Sequence, residues 1–229
     1  FMAVLRRLPG AAAAAPAVAR AIDGNVHFYA TCPRGLAGLL AEELTALGAQ
    51  NASADEAGVA FEGPFEVAYA ANLESRLATR ILWRMTRFDY RNETDIYEGA
   101  KRVRWHAHFD VERTFKVETN GVKAPVKSLD FITLKVKDAV ADVFRDALGK
   151  RPDVSSREPD VRVHCFLDAK WCTLYLDTSG EPLFKRGRRE QVGEAPLKKN
   201  LAAGLLKLSG WMPDQPLLDP MCGSGTILV

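Results

Sequence analysis

The chain has few cysteines, and their arrangement suggests neither a metal site nor a disulfide framework. There are four, none in a CxxC pair: Cys32, Cys165, Cys172 and Cys222. Structural zinc sites need thiolate or imidazole ligands at defined spacings, and disulfide frameworks belong to small secreted domains. His106 and His108 form an HxH pair, but the sequence supplies no further ligands at suitable spacing. We therefore expect reduced thiols, no bound metal and a cytoplasmic protein.

Long apolar runs and an excess of one charge are also absent. No stretch approaches the roughly 18 apolar residues of a membrane span, so we expect no membrane partner. The formal net charge is only +2, which by itself does not indicate a nucleic-acid partner. The four tryptophans are scattered, which does not favour a ladder of stacked aromatics for single strands. With 47% hydrophobic and 26% charged residues, the chain is typical of globular domains.

Residues 1–24 are rich in alanine and are interrupted by proline and glycine. An export signal would need a longer apolar core. We therefore predict a disordered tail for residues 1–24.

Two consecutive α+β units are predicted beyond the tail. Between residues 25 and 92, strand and helix patterns alternate in the order βαββαβ, which is that of a small ferredoxin-like unit. Between residues 93 and 178, a helix precedes a strand, a long amphipathic helix and two strands joined by a tight turn. The long helix has the clearest apolar stripe, which runs from Ile132 to Ala147, and Gly149 ends it.

A basic connector follows, which we place at residues 179–195. It contains Lys185, Arg186, Arg188 and Arg189 within five residues. Clustered cations of this kind suit phosphate groups. Ala195 to Lys198 then predict the start of a helix, with Pro196 near its first position, that ends at about Ser209.

The last residues, LLDPMCGSGTILV, predict the end of a strand, a glycine-rich turn and the first turn of a helix. Gly223 and Gly225 permit positive φ and leave backbone amides accessible to a ligand. Such amides at a helix N-terminus favour an anionic group. The alternatives for Asp219 are a cofactor contact and a helix N-cap, and the two roles are compatible.

This segment resembles motif I of the class I methyltransferases that modify exocyclic amines of bases. The resemblance implies a Rossmann-like α/β domain, of which residues 196–229 would be the truncated start, and S-adenosylmethionine as cofactor. It also implies a set of cofactor-binding residues: Asp219, Pro220, Cys222, Gly223, Ser224, Gly225 and Thr226. We expect the chain to be the N-terminal part of a longer enzyme whose catalytic residues lie beyond residue 229.

The two α+β units carry resemblances of their own. FYATCPRGLAGLLAEEL and SRLATRIL are similar to the ferredoxin-like extension of bacterial RlmL-type methyltransferases of 23S ribosomal RNA. KSLDFITLKVKDAVADVFR and RVHCFLDAKWCTLYLDTSGEPLFKRG resemble the THUMP domain, an RNA-binding module. The family usually has an aromatic where Arg188 stands. The implied RNA-binding residues are Lys123, Lys127, Lys135, Lys137, Arg186, Arg188 and Arg189.

These resemblances imply guanine-N2 methylation of 23S ribosomal RNA by the whole enzyme. They also imply that this chain binds structured RNA by recognising its shape and contacting its phosphates. Two alternatives stay open. The first is a transfer-RNA guanine-N2 methyltransferase, because THUMP domains also serve such enzymes. The second is a stand-alone RNA-binding module without activity.

Overall fold

The computed structural model describes residues 24–186 and 197–228, and the predicted tail lies outside them. The described residues form two units, residues 24–82 with 181–228 and residues 83–180. None of the helices in the described ranges has the length and apolar character needed to cross a bilayer. The predicted α+β fold is confirmed, and the units are described one at a time below.

The first unit has the predicted order of strands and helices. Its elements are β1 (Val26–Thr31), α1 (Ala37–Ala46), β2 (Gln50–Ala54), β3 (Gly58–Gly63), α2 (Phe65–Glu74), β4 (Arg80–Asp89, shared with the second unit) and α5 (Lys199–Ser209). Strand β3 pairs antiparallel with both β1 and β2, and β4 lies next to β1. The predicted βαββαβ arrangement is therefore present.

Aromatic and leucine side chains fill the core of this unit. The rings of Phe28 and Phe61 stack at 5.3 Å, and Phe65 meets Phe28 edge-on at 5.7 Å. Leu40 and Leu44 of α1 are completely buried. They are four residues apart, so they lie on one face of the helix, which packs on the sheet.

The second unit contains the longest helix. Its elements are the C-terminal part of β4, α3 (Glu93–Lys101), β5 (Phe115–Gly121), α4 (Leu129–Leu148), β6 (Val161–Leu167) and β7 (Trp171–Asp177). Strands β5 and β6 are parallel, so the chain must cross over between them, and α4 makes that crossing. Strands β6 and β7 form an antiparallel hairpin.

Helix α4 ends as its sequence predicts, and the structure adds the residue that caps its start. The Ser128 hydroxyl accepts a hydrogen bond from the Phe131 amide at 3.3 Å, and Gly149 ends the helix with φ +70°. Ile132, Val136 and Val140 are fully buried. The periodic stripe therefore is the face that packs against the strands.

Helix α5 begins later than predicted. Lys198 has an extended backbone with ψ 135°, and its carbonyl accepts the first helical hydrogen bonds, from Leu201 and Ala202 at 3.0 Å each. Lys198 is thus the residue that caps the helix, and the expectation of a start near Pro196 was wrong.

The predicted strand before the glycine turn is not formed. Residues 217–219 have no strand partner among the described residues, and Leu218 is 86% exposed. A strand needs ladder hydrogen bonds and a buried face, and neither is available to these leucines here. Residues 220–228 form turns rather than the predicted first turn of a helix.

Candidate cofactor turn and RNA-binding residues

The glycine turn has the backbone geometry that its sequence predicts. Gly223 and Gly225 have φ +53° and +70°, values that L side chains adopt at a cost. The Gly225 amide donates to the Cys222 carbonyl at 2.8 Å, and the Leu228 amide donates to the Gly225 carbonyl at 3.0 Å. A Cβ at either position would meet no atom within 4 Å. Glycine is therefore required here by its positive φ and not by a lack of space.

Asp219 stabilises the entry to this turn. One of its carboxylate oxygens accepts a hydrogen bond from the Met221 amide at 3.0 Å, which is an Asx-turn. The other alternative for this residue, a helix N-cap, is not seen because no helix follows within the described residues. The second carboxylate oxygen makes none of the described hydrogen bonds, so Asp219 can bind its own backbone and a ligand amine together.

The turn can offer donors and a carboxylate to one end of a ligand. Ser224 and Thr226 place their hydroxyls 3.3 Å apart, and the side chains from Pro220 to Ser224 are exposed. Backbone amides and hydroxyls suit a carboxylate group, and Asp219 suits an amine. The turn thus provides a surface for an amino-acid moiety.

A loop of the first unit, residues 75–79, joins α2 to β4. The carboxylate of Glu43 accepts from the Ser75 hydroxyl at 3.1 Å and from the amides of Arg76 and Leu77 at 2.8 and 3.2 Å. The Ser75 hydroxyl in turn accepts from the Ala78 amide at 3.0 Å. One acidic side chain of α1 therefore fixes the loop.

Helix α5 is attached to the same loop. Asn200, which is 1% exposed, donates to the Thr79 hydroxyl at 2.9 Å and to the Leu77 carbonyl at 3.4 Å. The Leu183 amide donates to the Thr79 carbonyl at 2.8 Å. The string SRLATRIL thus contains the anchor for the helix that precedes the glycine turn, a role that sequence reasoning missed because the partners are more than a hundred residues away.

Arg186 has a structural role that the sequence did not reveal. Its guanidinium donates to the carbonyls of Asn72, Leu73 and Ser75 at the end of α2, and its Nε donates to the Leu183 carbonyl at 3.0 Å. Burial lowers the pKa of Arg186, although nearby Glu43 opposes the shift. Cations suit the C-terminal end of a helix, so Arg186 caps α2. Arg188 and Arg189 lie outside the described residues.

Two of the predicted RNA-binding lysines lie in the loop between β5 and α4. Lys123 and Lys127 are exposed, and neither has an ion pair among the described side chains. Lys123 has φ +54°. The loop ends at the N-terminus of a 20-residue helix, where the backbone amides attract anions. The structure therefore places both cations in the loop that leads into this helix.

The other two lysines lie on the first turns of α4 and have neighbours. The Lys135 ammonium is 5.4 Å from the centroid of the Phe131 ring, which is 47% exposed. The Lys137 ammonium is 3.2 Å from a carboxylate oxygen of Asp138. Both side chains are half-buried, so they are less available for phosphate than Lys123 and Lys127.

The histidine pair packs against aromatic rings. His108 meets the Trp83 ring edge-on at 5.1 Å, and His106 is 6.4 Å from Phe144. Burial lowers the pKa of His108, with smaller contributions from Arg104 and His106. Among residues 24–186 and 197–228, no group of three or more His, Cys, Asp or Glu side chains is placed to bind a metal ion. The pair thus contributes to packing.

The cysteines do not resemble catalytic nucleophiles. Burial, with a smaller contribution from Asp55, raises the pKa of Cys32 to about 11. Cys165 and Cys172 are buried with their sulfurs 3.8 Å apart. A reactive thiol needs a lowered pKa and access to solvent. The pKa of Cys32 is raised instead, and burial denies access to Cys165 and Cys172. Cys222 is exposed within the glycine turn.

Three family models match successive parts of the chain. Residues 27–82 match the RlmL ferredoxin-like domain, residues 90–177 match the THUMP domain, and residues 186–229 match the RMKL-like methyltransferase domain. The resemblances inferred from single strings are thereby confirmed over most of the chain.

Individual relatives agree with these matches. Ribosomal RNA large subunit methyltransferase K/L of Psychromonas ingrahamii is 42% identical over 89% of this chain, which spans 27% of that protein. A predicted N6-adenine-specific DNA methylase of Listeria monocytogenes is 29% identical with a TM-score of 0.79, over 90% of this chain and 54% of that one. SMU.472, solved as a complex with S-adenosylhomocysteine, is 28% identical with a TM-score of 0.77 over the same shares. The chain therefore contains an RlmL-type ferredoxin-like domain, a THUMP domain and part of an RMKL-like methyltransferase domain, and it spans about a quarter of the length of the curated relative it matches.

Proposed function

We propose that this chain is the RNA-binding part of an S-adenosylmethionine-dependent methyltransferase that acts on guanine N2 of 23S ribosomal RNA in the cytoplasm. The support is the match of successive parts of the chain to the THUMP and RMKL-like methyltransferase domains, and a relative described as a ribosomal RNA large subunit methyltransferase. The 23S target is the more specific part of the proposal, and a transfer-RNA target is the alternative that the experiment below also tests.

The chief structural support is the position of Lys123 and Lys127. Both are exposed cations in one loop at the N-terminus of α4. Phosphate contacts need cations and amide donors on a common surface, and they position RNA without reading its sequence. Lys135 and Lys137 extend this basic surface along the helix, and Arg188 and Arg189 of the connector are proposed as further contacts.

For the cofactor, we propose that Asp219, Pro220, Cys222, Gly223, Ser224, Gly225 and Thr226 hold the methionine end. The open space above both glycines and the available Asp219 oxygen fit such a group. The cofactor, when bound, supplies the methyl group. The protein residues orient its amine and carboxylate. We also propose the domain bounds 25–92, 93–178, 179–195 and 196–229.

Filter binding with a ribosomal RNA helix tests the RNA part. The slope measured is that of the logarithm of the binding constant against the logarithm of the salt concentration. Replacing Lys123 and Lys127 by alanine should make this slope shallower by up to about two units, because each lost phosphate contact removes about 0.9. Lys150→Ala, at the other end of α4, is the matched control and should leave the slope unchanged. An unaltered slope in the double variant would remove this loop from the RNA surface, and tighter binding of transfer RNA than of the ribosomal helix would favour the alternative target.

The same assay examines the arginines of the connector. Replacing Arg186, Arg188 and Arg189 together should reduce the slope by up to about two to three units if all three contact phosphate. Because Arg186 already binds carbonyls of α2, Arg186→Ala alone should reduce the salt slope less than Arg188→Ala or Arg189→Ala. A slope that stays the same in the triple variant excludes the connector.

Methyl transfer by the whole enzyme tests the cofactor turn. Asp219→Ala removes the orienting carboxylate, and Gly223→Val forces a β-branched residue into positive φ. Both should abolish transfer from labelled S-adenosylmethionine while RNA binding remains. The 229-residue chain alone should bind the cofactor only weakly, because its turn is exposed on one side. Low-micromolar affinity in a calorimetric titration of that chain would contradict this expectation.

A further inference from the structure

The sheet of the second unit has two faces of different chemistry. The hydroxyls of Thr133 on α4 and Thr119 on β5 lie 2.7 Å apart, so α4 covers the face of the sheet to which Thr119 belongs. The strand register places Cys165 and Leu174 on the same face, and both are fully buried. This helical face is the apolar core.

The opposite face carries aromatic side chains. Phe166 of β6 lies directly across from Thr173 of β7. Because side chains alternate along a strand, Trp171 and Tyr175 share this face with them. Phe166 is 37% exposed, and Trp171 and Tyr175 are half-buried. The fold thus assembles three rings that are separated in the sequence.

Two cations lie over the ring of Trp171. The guanidinium carbon of Arg87 lies 4.9 Å, and the Lys170 ammonium 5.1 Å, from the centroid of Trp171. The Asp168 carboxylate accepts from the amides of Lys170 and Trp171 at 2.7 and 2.6 Å. The turn therefore fixes the backbone of Lys170 and Trp171.

Two carboxylates of this sheet face have other partners. Glu118 is 2.9 Å from the Lys116 ammonium, and Asp177 is 3.4 Å from His164. Arg87 and Lys170 are exposed, and neither forms an ion pair among the residues that the structure describes. The surface at Trp171 accordingly presents an aromatic ring together with two cations.

We propose that this aromatic sheet face binds a single-stranded segment of the RNA, with a base that stacks on Trp171 in place of one of the two long cationic side chains and with Arg87 and Lys170 turned to the neighbouring phosphates. Stacking accepts any base, because every base has a π face, and a basic surface follows the phosphates. The inference rests on the proposed RNA binding and adds a second surface, on which single-stranded rather than helical RNA is held.

Binding of a single-stranded oligoribonucleotide of roughly ten nucleotides, of the order of known site sizes, tests this assignment. Trp171→Ala in the 229-residue chain should weaken binding by about fivefold to a hundredfold, and Trp171→Phe should retain most of the affinity. Tyr97→Ala is the matched control, because it removes another aromatic ring that lies beside a lysine, Lys101, at 5.8 Å. Circular dichroism should show that every variant is folded.

Fluorescence supplies a second readout. In a Trp211→Phe background, Trp171 is the one tryptophan that is not buried, because Trp83 and Trp105 are. Addition of the oligonucleotide should quench its emission, and Lys170→Ala together with Arg87→Ala should reduce the quenching.

The outcomes separate this inference from the proposed function. If Trp171→Ala binds the single strand as the native chain does, or if Tyr97→Ala loses as much, the stacking surface is refuted. RNA-helix binding that still depends on Lys123 and Lys127 would then leave the proposed function standing. Failure of the native chain to bind either RNA would overturn both.

Discussion

The loop at residues 75–79 and the turn at residues 219–226 are both short motifs, but the structure fixes them differently. The loop is held by long-range partners, among them Glu43, Arg186 and Asn200. The turn is held by bonds within itself, such as the one between the Gly225 amide and the Cys222 carbonyl. The first motif is therefore part of the cooperative fold, whereas the second is a local conformation.

The difference separates the properties that a motif's own residues determine from those that depend on distant segments. Positive φ at Gly223 and Gly225 follows from the residue type and the turn alone. Burial and strand pairing require other segments, and Leu218 remains exposed without them. Mutations in the loop should thus change the free energy of unfolding, and comparable mutations in the turn should not.

The largest effect is expected at Glu43. Glu43→Ala removes the acceptor for the Ser75 hydroxyl and for the amides of Arg76 and Leu77. Unpaired donors in a partly buried loop should lower the free energy of unfolding by about 2–3 kcal/mol. Urea titration measures this loss. Glu42→Ala, an exposed neighbour on the same helix, should change it by less than about 0.5 kcal/mol. Equal effects of the two substitutions would show that the loop is not held by this carboxylate.

A smaller loss is expected at Arg186. Arg186→Ala leaves the carbonyls of Asn72, Leu73 and Ser75 without their donor and should cost about 1–2 kcal/mol. Arg186→Lys should recover only part of this, since one ammonium lacks the planar fork of the guanidinium. Chemical denaturation gives the free energy of unfolding of both variants, and filter binding gives the salt dependence of their RNA binding. An unchanged stability with a slope reduced by about one unit would make Arg186 a phosphate contact instead.

The attachment of α5 offers a third test. A Cβ on Gly204 would lie 2.3 and 2.7 Å from the terminal carbons of Leu36. Gly204→Ala should therefore destabilise by about 1 kcal/mol net, because overpacking exceeds the gain in helix propensity. Gly38→Ala in α1, where a Cβ meets nothing within 4 Å, should instead stabilise by up to about 1 kcal/mol. Thermal melting of the two variants gives the sign of each change in stability. Stabilisation by Gly204→Ala would mean that α5 does not pack closely on Leu36.

The sequence alone predicted what depends on local periodicity. The apolar stripe of α4 and its Gly149 end follow from helical spacing and capping chemistry. The Arg186 cap and the Glu43 contacts were not predictable, because their partners are distant along the chain. The aromatic face of the second unit was missed for a related reason. Phe166 and Trp171 become neighbours only through the register of β6 with β7, which no spacing in the sequence specifies.

The smallest effect is expected in the glycine turn, where two glycines of equal φ can be compared. Gly225 and Gly149 both have φ +70°, and a Cβ at either would meet no atom within 4 Å. Alanine in this conformation costs about 1 kcal/mol or more locally. Gly149→Ala should lose that amount from the free energy of unfolding, because the residue ends the packed helix α4. Gly225→Ala should lose less than about 0.5 kcal/mol, because the exposed turn can rearrange without unfolding the unit. Urea titration of the two variants decides. An equal loss at Gly225 would show that the turn is coupled to the fold, and the distinction between the loop and the turn would then fail.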